Sequence, residues 1–397
     1  MEAARIIAGV ARIVQDVGLA EELAQDALVA ALERWPRDGV PDNPGGWLML
    51  TAKNRAIDLL RRRTVYERKL AEVGRDLLQQ PEPDPDGELD DPVGDDLLRL
   101  IFTACHPVLK PQQRAALTLR LLGGLTTDEI ARAFLIPGPT AAQRIVRAKR
   151  TLAVRNIPFA LPTPDDLTDR LQSVLGVIYL IFNEGYSATA GDDWIRPALC
   201  EEALRLGRIL AGLVPGDPEV HGLVALMELQ ASRFPARTAP DGTPVLLLDQ
   251  DRRRWDHLLI RRGLASLERS VAAGPPGPYT LQAAIAACHA EARDPADTDW
   301  FRIAGFYTLL LRRTDSPVVR LNHAVAAGMA EGPAAGLALL DGLADDLPGY
   351  PHLPAARAEL LARQGRRDEA RAEFIRAASL TANARERALF EGRAADL

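Results

Sequence analysis

Along most of this chain apolar residues return every three or four positions, and each run is closed by Gly, Pro, Asn or Asp. That pattern predicts helices joined by turns. In NPGGWLMLTAKNRAIDLLRRR, residues 43–63, the turn residues Asn43, Pro44, Gly45 and Gly46 place the start of a helix near Trp47. At about 100° per residue, Leu48, Met49, Ala52, Ala56, Ile57, Leu59 and Leu60 share one broad arc, the expected buried face. The opposite arc carries Trp47, Thr51, Asn54, Arg55, Asp58, Arg61 and Arg62, with Arg63 following. Trp, Asn and Arg are the groups that stack on a base, bond a base edge and hold phosphates. For this helix alone, a Trp47 tucked into the core beside solvated arginines accounts for the pattern equally well.

A second run tips that balance. In LTTDEIARAFLIPGPTAAQRIVRAKRTLAVR, residues 125–155, Thr127 is a candidate N-cap with Asp128 and Glu129 in the first turn. Ile130, Ala131, Phe134 and Leu135 give the apolar pattern, IPGP breaks the helix, and Thr140 is the candidate cap of the next. On that next helix Ala141, Ile145, Ala148 and Leu152 face inward. Thr140, Gln143, Arg144, Arg147, Arg150 and Thr151 share the other face, with Lys149 and Arg155 beside it. Between Pro139 and Arg155 there are five cations and no acid. A short helix, a tight turn and a helix with one cationic face form a helix-turn-helix whose second helix can enter a major groove. An ordinary hairpin with a basic surface would have to explain the missing acids.

From Ile157 to Leu397 the chain also reads as helix, broken at VPGDPE, APDGTP, GPPGPY, RDPADTD and DDLPGYP. Near its end Ala358, Ala370, Phe374 and Ala377 match Ala324, Gly336, Leu340 and Leu343 in size class, 34 residues earlier. That is the period of tetratricopeptide-like helix pairs, here over about 317–390, although Ala/Leu-rich hairpins can match it by chance. The stretch NEGYSATAGDDW mixes Asn183, Glu184, Tyr186, Asp192, Asp193 and Trp194, which suits an interface or a polar loop between helices.

Composition narrows the class. Aromatics are 5% of the 397 residues while Ala, Leu and Arg recur, so an all-α protein of several domains is expected. No apolar run approaches the roughly 18–20 residues of a membrane span, and the N-terminus lacks a signal peptide's basic start, so no membrane partner and a cytoplasmic location are expected. Cys105, Cys200 and Cys288 lie far apart without a CxxC, and the neighbours Cys105–His106 and Cys288–His289 diverge on a helix. No metal site is expected. The chain has no GxxxxGK[ST] loop, GxSxG elbow or acid/base constellation, so neither a catalytic residue nor a cofactor is expected.

Charge then divides the chain. Residues 1–69 carry a net +1, residues 70–96 a net −9, residues 97–156 a net +8, and the remainder the whole −6. The 70–96 segment is rich in Pro, Gly and acids and reads as an extended linker, with or without a role of its own.

A helical module, an acidic tether and a helix-turn-helix, in that order, resemble the extracytoplasmic-function sigma factors of bacterial RNA polymerase. The closer resemblance is to the subgroup with a long tetratricopeptide-like C-terminal extension. AEELAQDALVAALERWP, residues 20–36, is similar to the second conserved region of that family, residues 43–63 to its minus-ten helix, and residues 126–150 to its fourth region. The segments IPFALPTPDDLTDRLQSVLGVIYLIFNEGYSAT and LLLDQDRRRWDHLLI extend the likeness into the C-terminal part.

The resemblance implies four domains: sigma region two (1–69), an acidic flexible linker (70–96), sigma region four (97–156) and the helical extension (157–397). It implies core RNA polymerase as partner, through its β′ clamp helices and β flap, together with promoter DNA. Glu22, Gln25 and Asp26 share one helical face and would dock on the clamp helices, although a solvated face has the same look. Trp47, Thr51, Asn54, Arg55, Asp58, Arg61, Arg62 and Arg63 would face the minus-ten element, the arginines on phosphates, with the loop PRDGVPDNPGG cupping a flipped base. Trp35 fits the core better than a melting role.

At the minus-thirty-five element Thr140, Gln143, Arg144, Arg147, Lys149 and Arg150 would make contact, Gln143 and Arg147 at base edges and Arg144, Lys149 and Arg150 on the backbone. Ala142 and Val146 are smaller than the readers usual there, so the promoter sequence does not transfer. The extension would regulate in cis by docking on the sigma modules or the polymerase, bind another protein, or only stabilise. The competing functional reading is a free-standing helix-turn-helix regulator with a helical sensor domain, which leaves the 43–63 helix unexplained. A tetratricopeptide-type adaptor leaves both basic helices unexplained.

Overall fold

The computed structural model describes residues 2–73, 93–134, 136–186, 195–240, 242–381 and 383–397. Among them the elements are α-helices and short 3-10 turns, with no strand beyond an isolated bridge between Thr238 and Pro244. The protein is all-α. It divides into two compact units that meet between Val177 and Ile178.

The first unit opens with α1 (Glu2–Val14), α2 (Val17–Asp38) and α3 (Pro44–Val73), each packed on the other two. Ile6, Ile7 and Val10 of α1, Leu23, Ala24 and Ala27 of α2, and Leu48, Ala52 and Ala56 of α3 form the shared core. Asp16 fixes the start of α2, accepting from the Gly18 and Leu19 amides at 2.7 and 3.0 Å, a cap of about 1 kcal/mol. α3 begins at Pro44 rather than near Trp47 because Asn43 caps it, its side chain accepting from the Gly46 amide at 2.9 Å. The segment expected to be an extended linker is bracketed by helix: α3 continues to Val73 and α4 (Val93–Ala104) includes residues 93–96, while residues 74–92 lie outside the described residues.

After α4, which also lies against α1, come α5 (Pro111–Leu121), α6 (Thr127–Ala133) and α7 (Gly138–Val154). The cap of α6 is Thr126 rather than Thr127: Thr126 Oγ1 accepts from the Glu129 amide while Glu129 Oε2 accepts from the Thr126 amide at 2.7 Å, a reciprocal capping box. α7 starts at Gly138, so Thr140 sits inside its first turn instead of capping it, and Pro139 occupies an early position where its missing N–H does no harm. α8 (Pro164–Tyr186) straddles the boundary between the units. Its first half closes the end of α4: Arg170 Nη2 donates to the Phe102 carbonyl at 2.8 Å and Ser173 Oγ to the Cys105 carbonyl at 2.6 Å.

In the second unit α10 (Pro218–Ala231) is buried on nearly every side by α9 (Pro197–Leu213), α11 (His257–Ala273) and α12 (Pro278–Glu291). Polar groups on such a helix must find partners. The Glu219 carboxylate accepts from the Tyr279 and Thr280 amides at 2.8 and 3.1 Å and from Thr280 Oγ1 at 2.6 Å. It thereby caps α12 from a neighbouring helix, where the N-cap residue Gly277 has no side chain to do so. His221 Nε2 donates to the Pro215 carbonyl at 2.8 Å. The arginine run 252–254 is also scaffold at its first member. Buried Arg252 donates to the His289 and Ala292 carbonyls at 2.9 and 2.8 Å and to Thr298 Oγ1 at 2.9 Å, closing the far end of α12.

α13 (Trp300–Leu311) leads into two helix pairs, α14 (Pro317–Ala330) with α15 (Pro333–Asp341) and α16 (His352–Arg363) with α17 (Arg367–Leu380), ended by α18 (Ala384–Ala395). All eight residues matched at the 34-residue period are buried, and α14 also lies against α16, as stacked tetratricopeptide-like pairs require. Gly336 permits a close approach, since a Cβ there would sit 2.7 Å from the Ala324 carbonyl oxygen.

Candidate nucleic-acid interface

On α3, Asn54, Asp58, Arg61 and Arg62 are exposed, and Thr51 and Arg55 half-buried. Thr51 Oγ1 bonds back to the Trp47 carbonyl at 2.8 Å. Trp47 is neither in the core nor free: it is half-buried and stands edge-on to half-buried Trp35, ring centroids 5.6 Å apart. The two rings hold the α2–α3 corner and leave Trp47 partly open to solvent. Arg55 Nη1 lies 3.6 Å from Asp26 Oδ2 on α2. Ile57, expected in the core, is exposed; it lies one residue, about 100°, beyond Ala56 and past the buried strip. The Arg63 side chain lies outside the described residues.

α7 buries Ala141, Ile145, Ala148 and Leu152, as its pattern predicts. Outward, Gln143, Arg147 and Arg150 are exposed, Thr140 and Arg144 half-buried, and Val146 stands 62% exposed among them. Lys149 is turned elsewhere. Its Nζ lies 2.5 Å from Oε2 of Glu21, off the axis of a hydrogen bond, while Arg120 Nε of α5 donates to Glu21 Oε1 at 2.6 Å. Glu21 is 3% exposed. One buried carboxylate on α2 therefore joins the first helical bundle to the helix-turn-helix.

On α2, Glu22, Gln25 and Asp26 are all exposed, with Gln25 Nε2 donating to Glu21 Oε1 at 2.7 Å. Beside them, and missed in the sequence, Leu28, Val29 and Leu32 are exposed too, Leu32 to 76%. The available signal was that α2 carries more apolar residues than the one stripe Leu23, Ala24, Ala27, Ala30 and Ala31 needs.

In the cysteine–histidine pairs both cysteines and His289 are buried and His106 is half-buried. Burial pushes the Cys105, Cys200 and Cys288 thiols up to about 11, 12 and 11, so they are neutral at physiological pH. Burial, then the nearby Arg170 and Arg114, lower His106 to about 4, and its Nδ1 accepts from the Val108 amide at 3.1 Å. Among the described residues no three His, Cys, Asp or Glu side chains come together as metal ligands, and no helix is long and apolar enough to cross a membrane. In the polar stretch 183–194, Glu184 pairs with Arg196 at 2.6 Å and the Tyr186 ring lies 3.6 Å from the Arg237 guanidinium. Asp192, Asp193 and Trp194 lie outside the described residues.

Three family descriptions match the chain: Sigma-70 region 2 over residues 2–65, Sigma-70 region 4 over residues 99–152, and a family of unknown function, DUF6596, over residues 170–271. A protein of Rhizobium meliloti (strain 1021), named "Uncharacterized protein R00370", is 44% identical over 382 residues, covering 95% of this chain and 89% of its own. Among solved structures, yeast Tom70 aligns over 95% of this chain and 80% of its own at 11% identity, with a TM-score of 0.32, too low to bear on the fold.

Proposed function

The chain belongs to the extracytoplasmic-function sigma factors that carry a C-terminal extension, and from that premise we propose that it binds core RNA polymerase, reads both promoter elements and is regulated in cis by its extension. Its sigma-70 regions give it a role in promoter recognition, and sigma factor families are not enzymes. The observation that carries the finer reading is the outward face of α7, where Gln143, Arg147 and Arg150 stand exposed over a buried Ala141–Ile145–Ala148–Leu152 stripe. In this reading Gln143 and Arg147 meet base edges, Thr140, Arg144 and Arg150 the backbone, and Lys149 joins them once released from Glu21.

On α3, Asn54 reads an unstacked base beside half-buried Trp47, Thr51 and Asp58 line the same strip, and Arg55, Arg61, Arg62 and Arg63 hold phosphates. Glu22, Gln25 and Asp26, with the apolar ridge Leu28–Val29–Leu32, dock on the polymerase. An exposed ridge of that kind supports a partner surface better than charge alone, because burying it releases water.

Run-off transcription with purified core polymerase over a promoter library tests the reading. Discrete transcripts should require the protein and fall about tenfold or more with Asn54→Ala or Arg147→Ala. A chain ended after Val177 keeps the part of α8 that closes α4, and its output against the full chain gives the sign of the extension's effect. Duplex operator binding without polymerase, and no transcripts with it, would instead favour a free-standing regulator.

A further inference from the structure

The second unit contains a cleft that promoter recognition does not use. It has a volume of about 520 Å³ and lies between α9, α10 and α11, lined by Arg208, His221, Glu228, Arg262, Ser266 and Arg269, with Ala211, Gly212, Val224 and Ala265 filling in. Arg262, Ser266 and Arg269 come from one face of α11, spaced by four and then three residues, so their side chains point into the same space.

The floor of this cleft is already satisfied. Glu228, 3% exposed, accepts from Arg208 Nε and Nη2 at 3.0 and 2.8 Å and from Ser266 Oγ at 3.2 Å. The Ser266 oxygen in turn accepts from Arg269 Nη2 at 2.9 Å. His221 is held through Nε2 by the Pro215 carbonyl, and so neither competes for these groups nor moves freely. Glu228 is thus neutralised by Arg208. Arg262 and Arg269 have no carboxylate partner among the described residues, although both line the same concave space.

Arg262 and Arg269, both exposed and seven residues apart on α11, bring two cationic groups to one cleft in a part of the chain whose overall balance is acidic. Guanidinium presents planar paired donors that match phosphate and carboxylate oxygens. The small residues Gly212, Ala211 and Ala265 keep the mouth open, and a Cβ at Gly212 would meet nothing within 4 Å. The volume falls within the ~300–1,000 Å³ of small-molecule sites.

We infer that this cleft binds a compact polyanion, a small molecule with at least two phosphate or carboxylate groups, held by Arg262 and Arg269 over the Arg208–Glu228–Ser266 floor. The ligand lies wholly within the extension, so the site stands whether or not the sigma reading does. Arg208 both fixes the floor and offers its outer nitrogen edge to the ligand. The site takes its anions through side-chain donors and leaves the helix termini of the unit to their own caps.

Titration calorimetry of the full-length chain at constant ionic strength tests this, with pyrophosphate and citrate as separate probes. At least one should bind saturably at one site per chain, and Arg262→Ala with Arg269→Ala together should weaken it tenfold or more. Stronger binding of pyrophosphate assigns the phosphate class, and stronger binding of citrate the polycarboxylate class. Arg253→Ala, at an exposed arginine outside the cleft and paired with Asp251, should leave binding as it was. Equal affinity in the double variant and wild type, or no saturable binding of either probe to the wild type, overturns the site. Arg262→Gln alone should weaken binding about threefold or more, and it serves as the check should the double variant lose helical signal.

Discussion

Two carboxylates in this molecule are equally hidden, Glu21 in the first unit and Glu228 in the second, each 3% exposed. Their partners differ. Glu21 on α2 holds Lys149 of the helix-turn-helix and Arg120 of α5, the helix before it, and Arg120 lies 99 residues away. Glu228 holds Arg208 and Ser266 of its immediate neighbour helices. The two cations on Glu21 are themselves only 22% and 23% exposed, whereas Arg208 is 42% exposed. A buried charge that loses its partner is costly in proportion to how little water can replace that partner. The first arrangement therefore ties two modules that sequence alone presents as separate, and the second shapes a local cleft.

The largest expected effect follows from that contrast. Glu21→Gln should lower the protection of α2 and α7 in hydrogen exchange by about 3 kcal/mol, because Arg120 and Lys149 would stay half-buried without a counter-charge. Glu228→Gln should lower the protection of α10 by only about 1 kcal/mol, since Arg208 can turn to solvent. Equal losses at the two sites would break the comparison and make exposure of the partner irrelevant. Next in size is Gly277→Ala, whose Cβ would lie 2.4 Å from Glu219 Cδ and displace the carboxylate that caps α12. A loss of about 2 kcal/mol from the second unit is expected in urea unfolding followed by exchange, with the first unit unchanged.

What could be read in advance divides along the same line. Local periodicity is written in neighbouring residues, so the buried stripe Ala141–Ile145–Ala148–Leu152 and the 34-residue match of Ala324 with Ala358 were both legible. Choices between adjacent residues were less so, and the cap of α6 moved by one position to Thr126 because the reciprocal bond with Glu129 decides it. Long-range pairing was not legible at all. Nothing near Glu21 separates it from Glu22, one step along the helix and exposed, and the partners that bury it lie in another module. Likewise the 252–254 arginine run reads as surface charge until Arg252 is seen closing α12. Leu32 on α2 is exposed because it lies one residue, about 100°, past the buried stripe that ends at Ala31, which its residue type does not reveal.

An effect smaller per pH unit comes from acid, and it sharpens the contrast between the units. His289, in the second unit, is lowered from 6.5 to about 3 by burial and then by Arg233 and Arg252; His106, in the first, falls to about 4. A histidine with a depressed folded-state pKa binds protons more readily when unfolded. Its contribution is therefore complete above pH 6.5 and is lost as pH falls below it, at up to about 1.4 kcal/mol per unit for buried His289 and less for half-buried His106, whose surroundings solvent partly screens. The loss should level off near pH 4 in the first unit and continue toward pH 3 in the second. Hydrogen exchange or urea unfolding at pH 7, 6 and 5 should show this slope, and His289→Asn should reduce it in the second unit alone, where His323, also lowered by burial, leaves a remainder.

The smallest expected effect is at Arg253, whose guanidinium meets both oxygens of Asp251 at 2.9 Å while remaining 90% exposed. Its geometry is better aligned than that of the Lys149–Glu21 pair. Yet solvent screens the attraction, and the arginine gives up side-chain freedom to hold it. Asp251 also keeps its bond from the Arg253 amide, which a change of side chain leaves intact. Arg253→Ala should consequently leave the melting temperature unchanged within error at low and high salt. A clear drop at low salt would mean that alignment, rather than burial, ranks the ion pairs of this molecule, and the order argued from Glu21 downward would have to be reversed.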